Sequence, residues 1–238
     1  MSFDQILVVD LEGTDFPPDA GVVEIGTCRT LILDDGPIAL PCHTSIFVNP
    51  GRPIPPEASA VHHIIDSDVA PYDSFEKSWP LFLAPEDRAL AAHQADYERA
   101  FIKPDMTGDR PWICTWKSAL RLWPEAPSHG LQALRYYLGL AGVERAQAAP
   151  PHRAGPDAYV CAHLLAHMLT VATVGQLIAW SAEPALQVKV PFGQHRGQRW
   201  TAMDDGFLVW VLERDFDEHV HFTARHEQSR RAQLAAAA

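Results

Sequence analysis

The sequence has few cysteines and no long apolar run. Its four cysteines, Cys28, Cys42, Cys114 and Cys161, are widely scattered, and this spacing predicts neither a zinc site nor a disulfide framework. No apolar run approaches the roughly 20 residues of a membrane span, and residues 1–4 lack the basic start of a signal peptide. These absences exclude membrane-spanning and disulfide-stabilised classes and predict a soluble, cytoplasmic protein with reduced thiols.

Basic residues are also scarce. The chain has 19 Lys and Arg against 30 Asp and Glu, which gives a formal net charge of −11. A general nucleic-acid coat protein is excluded, because such proteins carry a basic face. An enzyme that holds a phosphate through bound metal and a local basic patch remains allowed. With 238 residues, 47% of them hydrophobic, the chain can build one sizeable core and a small second module.

The chain begins with a short apolar run that ends in two carboxylates. The run 6–9 is rich in β-branched residues and predicts a strand buried on both faces. Strand side chains alternate, so Asp10 and Glu12 are expected on the same side, close together. Two like charges held that close favour a hard divalent cation between them. The alternative is a strand that simply ends in an acidic turn at 13–15.

Two further carboxylates stand where a strand meets a helix. Asp96 follows the predicted buried strand 89–93, and Asp157 falls in the first turn of a helix predicted to begin at Pro156. Taken alone, Asp157 is also an ordinary helix-start aspartate. The remaining pattern of strands and helices predicts an α/β fold, in which strand ends gather at a ligand-binding crevice. Four carboxylates and His152 in one crevice match two-metal hydrolysis of a phosphate ester.

Three motifs, VVDLEGT, AAHQADYERAF and HRAGPDA, occur in the order found in one nuclease family. The chain resembles the DnaQ-like 3′→5′ exonucleases of the class named for its Asp, Glu, Asp, Asp and His. That resemblance implies a ribonuclease H-like mixed central sheet flanked by helices. Gln94 stands where asparagine is common, and Pro156 replaces a more usual helix former. Neither departure removes an expected metal ligand.

The resemblance also implies a role for each motif residue. Asp10 would bridge two divalent ions, Mg²⁺ or Mn²⁺, while Glu12 and Asp157 would hold one ion and Asp96 the other. His152 would be the general base. The residues implied to contact the terminal nucleotide are Gly13, Thr14, His62 and Ile64, although His62 also reads as an ordinary surface loop histidine.

The last fifth of the chain differs in composition. PFGQHRGQRW and the aromatic-rich helix after it resemble the C-terminal module of the exodeoxyribonuclease X branch, which predicts an exonuclease domain at 1–185 and a separate module at 186–238. Basic and aromatic residues alternate there, which is typical of a nucleic-acid grip. The alternative is a small packed hairpin whose aromatic residues are core. The residues assigned to nucleic-acid contact are Lys189, Arg196, Arg199 and Trp200.

Two classes of function remain open at this stage. The first is an exonuclease acting on DNA, as single strands or at 3′ ends, or alternatively on RNA like ribonuclease T and oligoribonuclease. The second is a nucleic-acid or protein-binding module that keeps the fold without catalysis. The presence of all five expected catalytic residues favours an enzyme. The preference for DNA depends on the C-terminal resemblance, since no motif reads a 2′-hydroxyl.

Overall fold

The computed structural model describes residues 4–237, and its centre is a mixed sheet of six strands. β1 pairs antiparallel with β2 and parallel with β5, which in turn pairs parallel with β6. β3 and β4 both pair antiparallel with β2, and the strand order is β3-β2-β1-β5-β6. The strands are β1 (Asp4–Gly13), β2 (Val22–Leu33), β3 (Gly36–Ala39), β4 (Thr44–Phe47), β5 (Asp87–Ala92) and β6 (Trp112–Cys114).

Helices cover both faces of this sheet. Within residues 4–237, no helix is long and apolar enough to cross a membrane. The helices are α1 (Pro56–His62), α2 (Asp66–Val69), α3 (Phe75–Ser78), α4 (Asp96–Phe101), α5 (Thr115–Leu122), α6 (Leu131–Tyr137), α7 (Ala154–Met168), α8 (Val174–Ala182), α9 (Asp205–Leu212) and α10 (Glu218–Ala236).

Side chains alternate along β1 between the two faces of the sheet, and this alternation sets the direction of its carboxylates. Val8 packs in the core cluster that contains the apolar side chains of α7, whereas Val9 packs in a second cluster on the opposite face of the sheet. Because strand side chains alternate, Asp10 and Glu12 continue the row of Val8. The end of β1 therefore turns both carboxylates toward the face that α7 covers.

A glycine inside β2 lets α7 begin beside those carboxylates. Gly26 pairs with Asp10 across the β1–β2 ladder. A Cβ atom at Gly26 would lie 1.9 Å from the backbone carbon of Ala154, the first residue of α7. Only a residue without a side chain allows this approach. Gly26 thus places the first turn of α7, which carries Asp157, over the end of β1.

The C-terminal segment, residues 186–238, packs around its own apolar cluster within the described part of the chain. It also contacts the rest of the protein: Arg199 pairs with Glu125, and His219 accepts a 3.0 Å hydrogen bond from the backbone amide of Ala185. The buried members of its cluster are Val190, Trp200, Met203, Leu208, Val211, Val220 and Ala224.

The predicted α/β class, a mixed sheet flanked by helices, is confirmed. Some predicted boundaries were wrong. The predicted strands 21–28 and 30–33 form the single strand β2, and β3 was not predicted, because only four residues pair there. The helix predicted to begin at Pro156 begins two residues earlier. The four cysteines are free, and three of them are buried while Cys42 is exposed.

Candidate active site

Three of the expected carboxylates meet where β1 ends and α7 begins. One carboxylate oxygen from each of Asp10, Glu12 and Asp157 lies within 4.8 Å of the other two. The two strand residues share a face of β1, and the first turn of α7 brings the third across the close contact at Gly26. Residues 147 positions apart in sequence thus form one cluster of oxygen atoms.

The cluster lies in an open cleft of about 730 Å³. The cleft runs from the carboxylates to the start of α1 and to the loop after β1, so polar groups lie at its floor and apolar groups at its rim. Phe16, 79% exposed, and Val61, 48% exposed, supply apolar surface at that rim. Such a cleft can accept a molecule with both a phosphate and a flat apolar ring.

A fourth carboxylate that the sequence analysis did not select lines the same cleft. Glu98, in α4, is 3% exposed, and its charge raises the pKa of Asp10. Burial, followed by the charges of Glu12 and Asp96, raises the pKa of Glu98 itself to about 8. In the sequence, only helical spacing could have indicated Glu98. Residues 96 and 98 lie on different sides of α4, so only one of the two can face the cleft.

The structure does not bring Asp96 into this cluster, contrary to the prediction. Its side chain is 56% exposed and lies 3.3 Å from the ammonium of Lys117 and 3.2 Å from the guanidinium of Arg99. It lines a second cavity, between α4 and α8, rather than the cleft of Asp10. Of the two carboxylates in α4, Glu98 lines the cleft of Asp10 and the predicted Asp96 does not.

The carboxylates of the cleft repel one another. Burial is the main cause that raises the pKa of Asp10 well above its ordinary value, and the neighbouring charges of Glu12 and Glu98 add to the effect. Burial and the charges of Asp157 and Glu24 raise the pKa of Glu12 to about 8. Without a cation, burial and mutual repulsion therefore favour the protonated forms of these carboxylates.

These residues fit a hard divalent cation. Every group in the cluster is a carboxylate, and oxygen donors suit Mg²⁺ or Mn²⁺. One oxygen of Glu98, Oε2, is buried and has no hydrogen-bond partner among the described residues. A buried oxygen without a donor, beside three mutually repelling carboxylates, is what a bound cation would satisfy.

Asp157 is held by two hydrogen bonds from different elements. The backbone amide of His152 donates to Oδ2 over 2.8 Å, and the side-chain amide of Gln132, in α6, donates to Oδ1 over 2.7 Å. His152 adopts a left-handed backbone conformation, with φ of 59°, and its exposed imidazole lines the cleft. Gln132 was not identified from the sequence, because nothing local marks it as a partner of Asp157.

A buried ion pair joins β2 to the start of α7 next to the cluster. Arg153 donates two hydrogen bonds of 2.8 Å to Glu24, which is 2% exposed. The backbone amide of Ala154 donates a third, of 3.0 Å, so the Glu24 carboxylate also caps α7. This pairing satisfies the hydrogen-bonding capacity of Glu24 within the protein, so Glu24 has its own cation while its charge still acts on Glu12.

The four residues predicted to contact the terminal nucleotide fall into two groups. Gly13, Thr14 and His62 line the cleft, whereas Ile64 does not. Ile64 is 1% exposed and packs in a core cluster with Val23, so its predicted contact is wrong. The alternative of a surface histidine is also wrong, since His62 is 2% exposed and accepts a 3.0 Å hydrogen bond from the amide of Ile64.

The predicted nucleic-acid grip in the C-terminal segment is only partly available at the surface. Trp200 is 2% exposed and packs in the core cluster of that segment, which is the alternative left open by the sequence. Arg199 is paired with Glu125. Lys189 and Arg196 are exposed. Since Trp200 cannot stack on a base, these four residues do not form a joint binding surface.

Comparison with known proteins places this geometry in a family. The family model described as Exonuclease matches residues 7–165, a range that contains both β1 and the first turn of α7. Exodeoxyribonuclease 10 of Escherichia coli (strain K12) is 33% identical over 197 residues, which cover 81% of this chain and 84% of that protein.

Solved structures show the same fold. The structure titled "Exonuclease X in complex with 5′ overhanging duplex DNA" matches with a TM-score of 0.60 and 28% identity, and the match covers 74% of this chain and 99% of that one. A 3′-exonuclease solved for recognition of a histone mRNA stem-loop shares the fold alone, with a TM-score of 0.52, 17% identity, and coverage of 71% and 83%. From its matched residues and its relatives, this chain belongs to the exonuclease family and is a DnaQ-like hydrolytic nuclease.

Proposed function

We propose that this protein is a 3′→5′ exodeoxyribonuclease that removes nucleoside 5′-monophosphates from the 3′ end of DNA. The observation that carries the proposal is the meeting of Asp10, Glu12 and Asp157 in an open cleft, with Glu98 beside them. A cluster of repelling carboxylates at the floor of a cleft suits a cation-assisted attack on a phosphodiester.

We assign the ion ligands to Asp10, Glu12, Glu98 and Asp157, with Asp96 left outside the set. These residues would hold two divalent ions, Mg²⁺ or Mn²⁺, which would supply positive charge to the attacking and leaving oxygens. The hydrogen bonds from Gln132 and from the amide of His152 hold the Asp157 carboxylate in its orientation. Protein groups thus fix these ligands before the substrate arrives.

His152 is the general base in this proposal. Its imidazole is exposed at the cleft, so it can accept the proton of the attacking water. Water attacks the terminal phosphorus, and the bond to the 3′ oxygen of the preceding nucleotide breaks. The products are a nucleoside 5′-monophosphate and a strand with a new 3′-hydroxyl.

The cleft rim orients the terminal nucleotide. The loop of Gly13 and Thr14 is fixed by reciprocal hydrogen bonds with Gly21, of 2.8 and 2.9 Å, so it presents a rigid edge to the sugar. Phe16, which packs edge-on against Tyr97, offers an exposed ring to the base. Val61 lines the same cleft, whereas Ile64 does not.

DNA is preferred to RNA as the substrate. The support is that the E. coli relative is named as an exodeoxyribonuclease and that the 28% identical structure was solved with duplex DNA. An RNA substrate is the second candidate, favoured by the shared fold with the exonuclease solved for a histone mRNA stem-loop. We also propose the division into an exonuclease domain at 1–185 and a module at 186–238, in agreement with the separate apolar cluster of the latter.

The test is digestion of matched 5′-labelled single-stranded DNA, duplex DNA and RNA, with Mg²⁺, with Mn²⁺ and with EDTA. We expect a ladder shortened from the 3′ end of DNA, mononucleotide products, and no cleavage in EDTA. Asp10→Asn is the control, since it keeps the shape of the residue and removes a ligand charge. Faster digestion of RNA would select the second candidate, and activity in EDTA would refute the metal-dependent mechanism.

A further inference from the structure

The C-terminal module contains an open aromatic pocket that shares no lining residue with the cleft of Asp10. Its volume is about 360 Å³, within the range of small-ligand sites. One wall is the loop 192–195, and the other is one side of α9. The lining residues are Phe192, Gly193, Gln194, His195, Phe207 and Trp210.

The aromatic rings of this pocket lie in nearly parallel planes. Phe192 and Phe207 are inclined by 25° with centroids 6.2 Å apart, and Phe207 and Trp210 by 28° with centroids 5.8 Å apart. Phe216 stacks on Phe192 at 4.2 Å and fixes its orientation. Trp210 nevertheless remains 40% exposed. The rings therefore leave an uncovered apolar surface onto which a flat ring can stack.

Polar and cationic groups surround that surface. Gln194 Nε2 is hydrogen-bonded to His195 Nε2 over 3.2 Å, and Nδ1 of His195 lies 3.4 Å from Oε1 of Gln198, so the side-chain oxygen of Gln194 is the acceptor left at the exposed rim for the edge of a base. The guanidinium of Arg214 lies 5.6 Å from the centre of the Trp210 ring, and Arg196 is exposed in the neighbouring loop. An apolar peptide side chain would use the rings but not these groups.

The charge distribution favours a polyanion here. The module contains seven Lys and Arg and seven Asp and Glu, so the formal charge of −11 belongs entirely to residues 1–185. A DNA strand is repelled less by the module than by the rest of the chain. A flat ring with a polar edge, joined to a phosphate, matches the rings, the rim and the two arginines together.

We propose that this pocket binds one unpaired nucleobase of the substrate strand, upstream of the nucleotide being removed. The inference rests on the proposed function, because it takes a nucleic-acid strand as the ligand. Of the predicted grip it keeps Arg196, and it replaces Lys189, Arg199 and Trp200 with the surface formed by Phe192, Phe207 and Trp210. The module thereby holds the strand while the cleft removes its terminal residue.

The test measures strand binding by fluorescence anisotropy, using the full chain with Asp10→Asn to prevent cleavage. The probes are an oligothymidylate of about 20 nucleotides and the same strand with abasic sites. We expect Trp210→Leu to weaken binding of the intact strand about tenfold and to leave binding of the abasic strand unchanged. Trp210→Phe keeps an aromatic plane and should retain most of the affinity. Val209→Ala is the control, since Val209 is 47% exposed on α9 but does not line the pocket.

Equal affinity of the parent and Trp210→Leu for the intact strand would overturn the inference and leave the pocket to a protein ligand. Near-UV circular dichroism checks that each variant is folded, and Phe192→Leu provides a second variant if Trp210→Leu is not. The proposed function is tested separately, by cleavage of a short oligonucleotide with proteins that keep the native Asp10. Retained cleavage by Trp210→Leu with unchanged strand binding would refute the pocket alone, whereas no cleavage by the wild-type chain would refute the nuclease proposal.

Discussion

Asp96 and Glu98 are two residues apart in α4, yet the side chain of Asp96 is 56% exposed and Glu98 is 3% exposed in the cleft of Asp10. A helix turns by about 200° over two residues, so the two carboxylates point to nearly opposite sides. Lys117 and Arg99 neutralise Asp96, whereas Glu98 faces other carboxylates. Asp96 is thus neutralised outside the cleft, whereas Glu98 lies inside it.

We therefore predict that Glu98→Gln and Asp96→Asn have very different effects. Glu98→Gln removes a charge that would hold a cation and should lower the cleavage rate by at least about a hundredfold. Asp96→Asn changes a half-exposed carboxylate that does not line the cleft of Asp10, and should change the rate less than about threefold. The measurement is steady-state cleavage of labelled DNA in saturating Mg²⁺. The reverse order of effects would restore Asp96 as the ligand.

The second prediction concerns the pH dependence of the metal-free protein. Burial raises the pKa of Glu12 and of Glu98 to about 8 from the ordinary value of 4.5. Between those values the folded protein binds more protons than the unfolded chain, so this contribution to stability is present in full below about pH 4.5 and is lost as pH rises through about 8. We expect the free energy of unfolding, measured with denaturant in EDTA, to fall less steeply with rising pH for Glu98→Gln than for the wild type. If the free energy of unfolding depends on pH equally in the two proteins, the raised pKa of Glu98 is contradicted.

The third prediction concerns Gln132 as a positioning residue for Asp157. Gln132→Leu removes the 2.7 Å hydrogen bond to Oδ1 and should weaken binding of Mn²⁺ by about tenfold to a hundredfold. Isothermal titration calorimetry with Mn²⁺ measures this directly, without turnover. Gln233→Leu, at an exposed position of α10, is the matched control. Unchanged Mn²⁺ affinity together with reduced stability would show that Gln132 only packs the helix.

The fourth prediction concerns His152 as the base. His152→Ala should lower kcat by about a hundredfold to ten-thousandfold with little change in KM, because proton transfer is lost while substrate contacts remain. His226→Ala, exposed on α10, serves as the control. A variant that keeps the kcat of the wild type would show that another group is the base.

The fifth prediction concerns the ion pair of Glu24 and Arg153. Arg153→Met leaves the Glu24 carboxylate buried and without its cation, so the free energy of unfolding should fall by about 3 kcal/mol. Lys77→Met breaks a pair in which both side chains are about 70% exposed, 72% and 68%, and should cost less than about 0.5 kcal/mol. Chemical denaturation of both variants gives the comparison. Similar losses would mean that Arg153 contributes no more than a surface charge.

The sequence by itself determined the parts of this protein that depend on local pattern. The apolar run of β1 with its alternation placed Asp10 and Glu12 on one face, and three ordered motifs predicted the family that the comparisons show. The mixed α/β class followed from the same elements. These properties are local because strand periodicity and motif order are both written in contiguous residues.

Tertiary structure decided which side chains share the site. The approach of Ala154 to Gly26 sets the position of Asp157, and the packing of α4 turns Glu98 into the cleft while Asp96 pairs with the buried Lys117 outside it. Burial likewise assigned Trp200 to a core and left Trp210 exposed, although both are tryptophans in one short module. Sequence pattern cannot decide such choices, because the exposure of a side chain depends on how its element packs against residues that are distant in the chain.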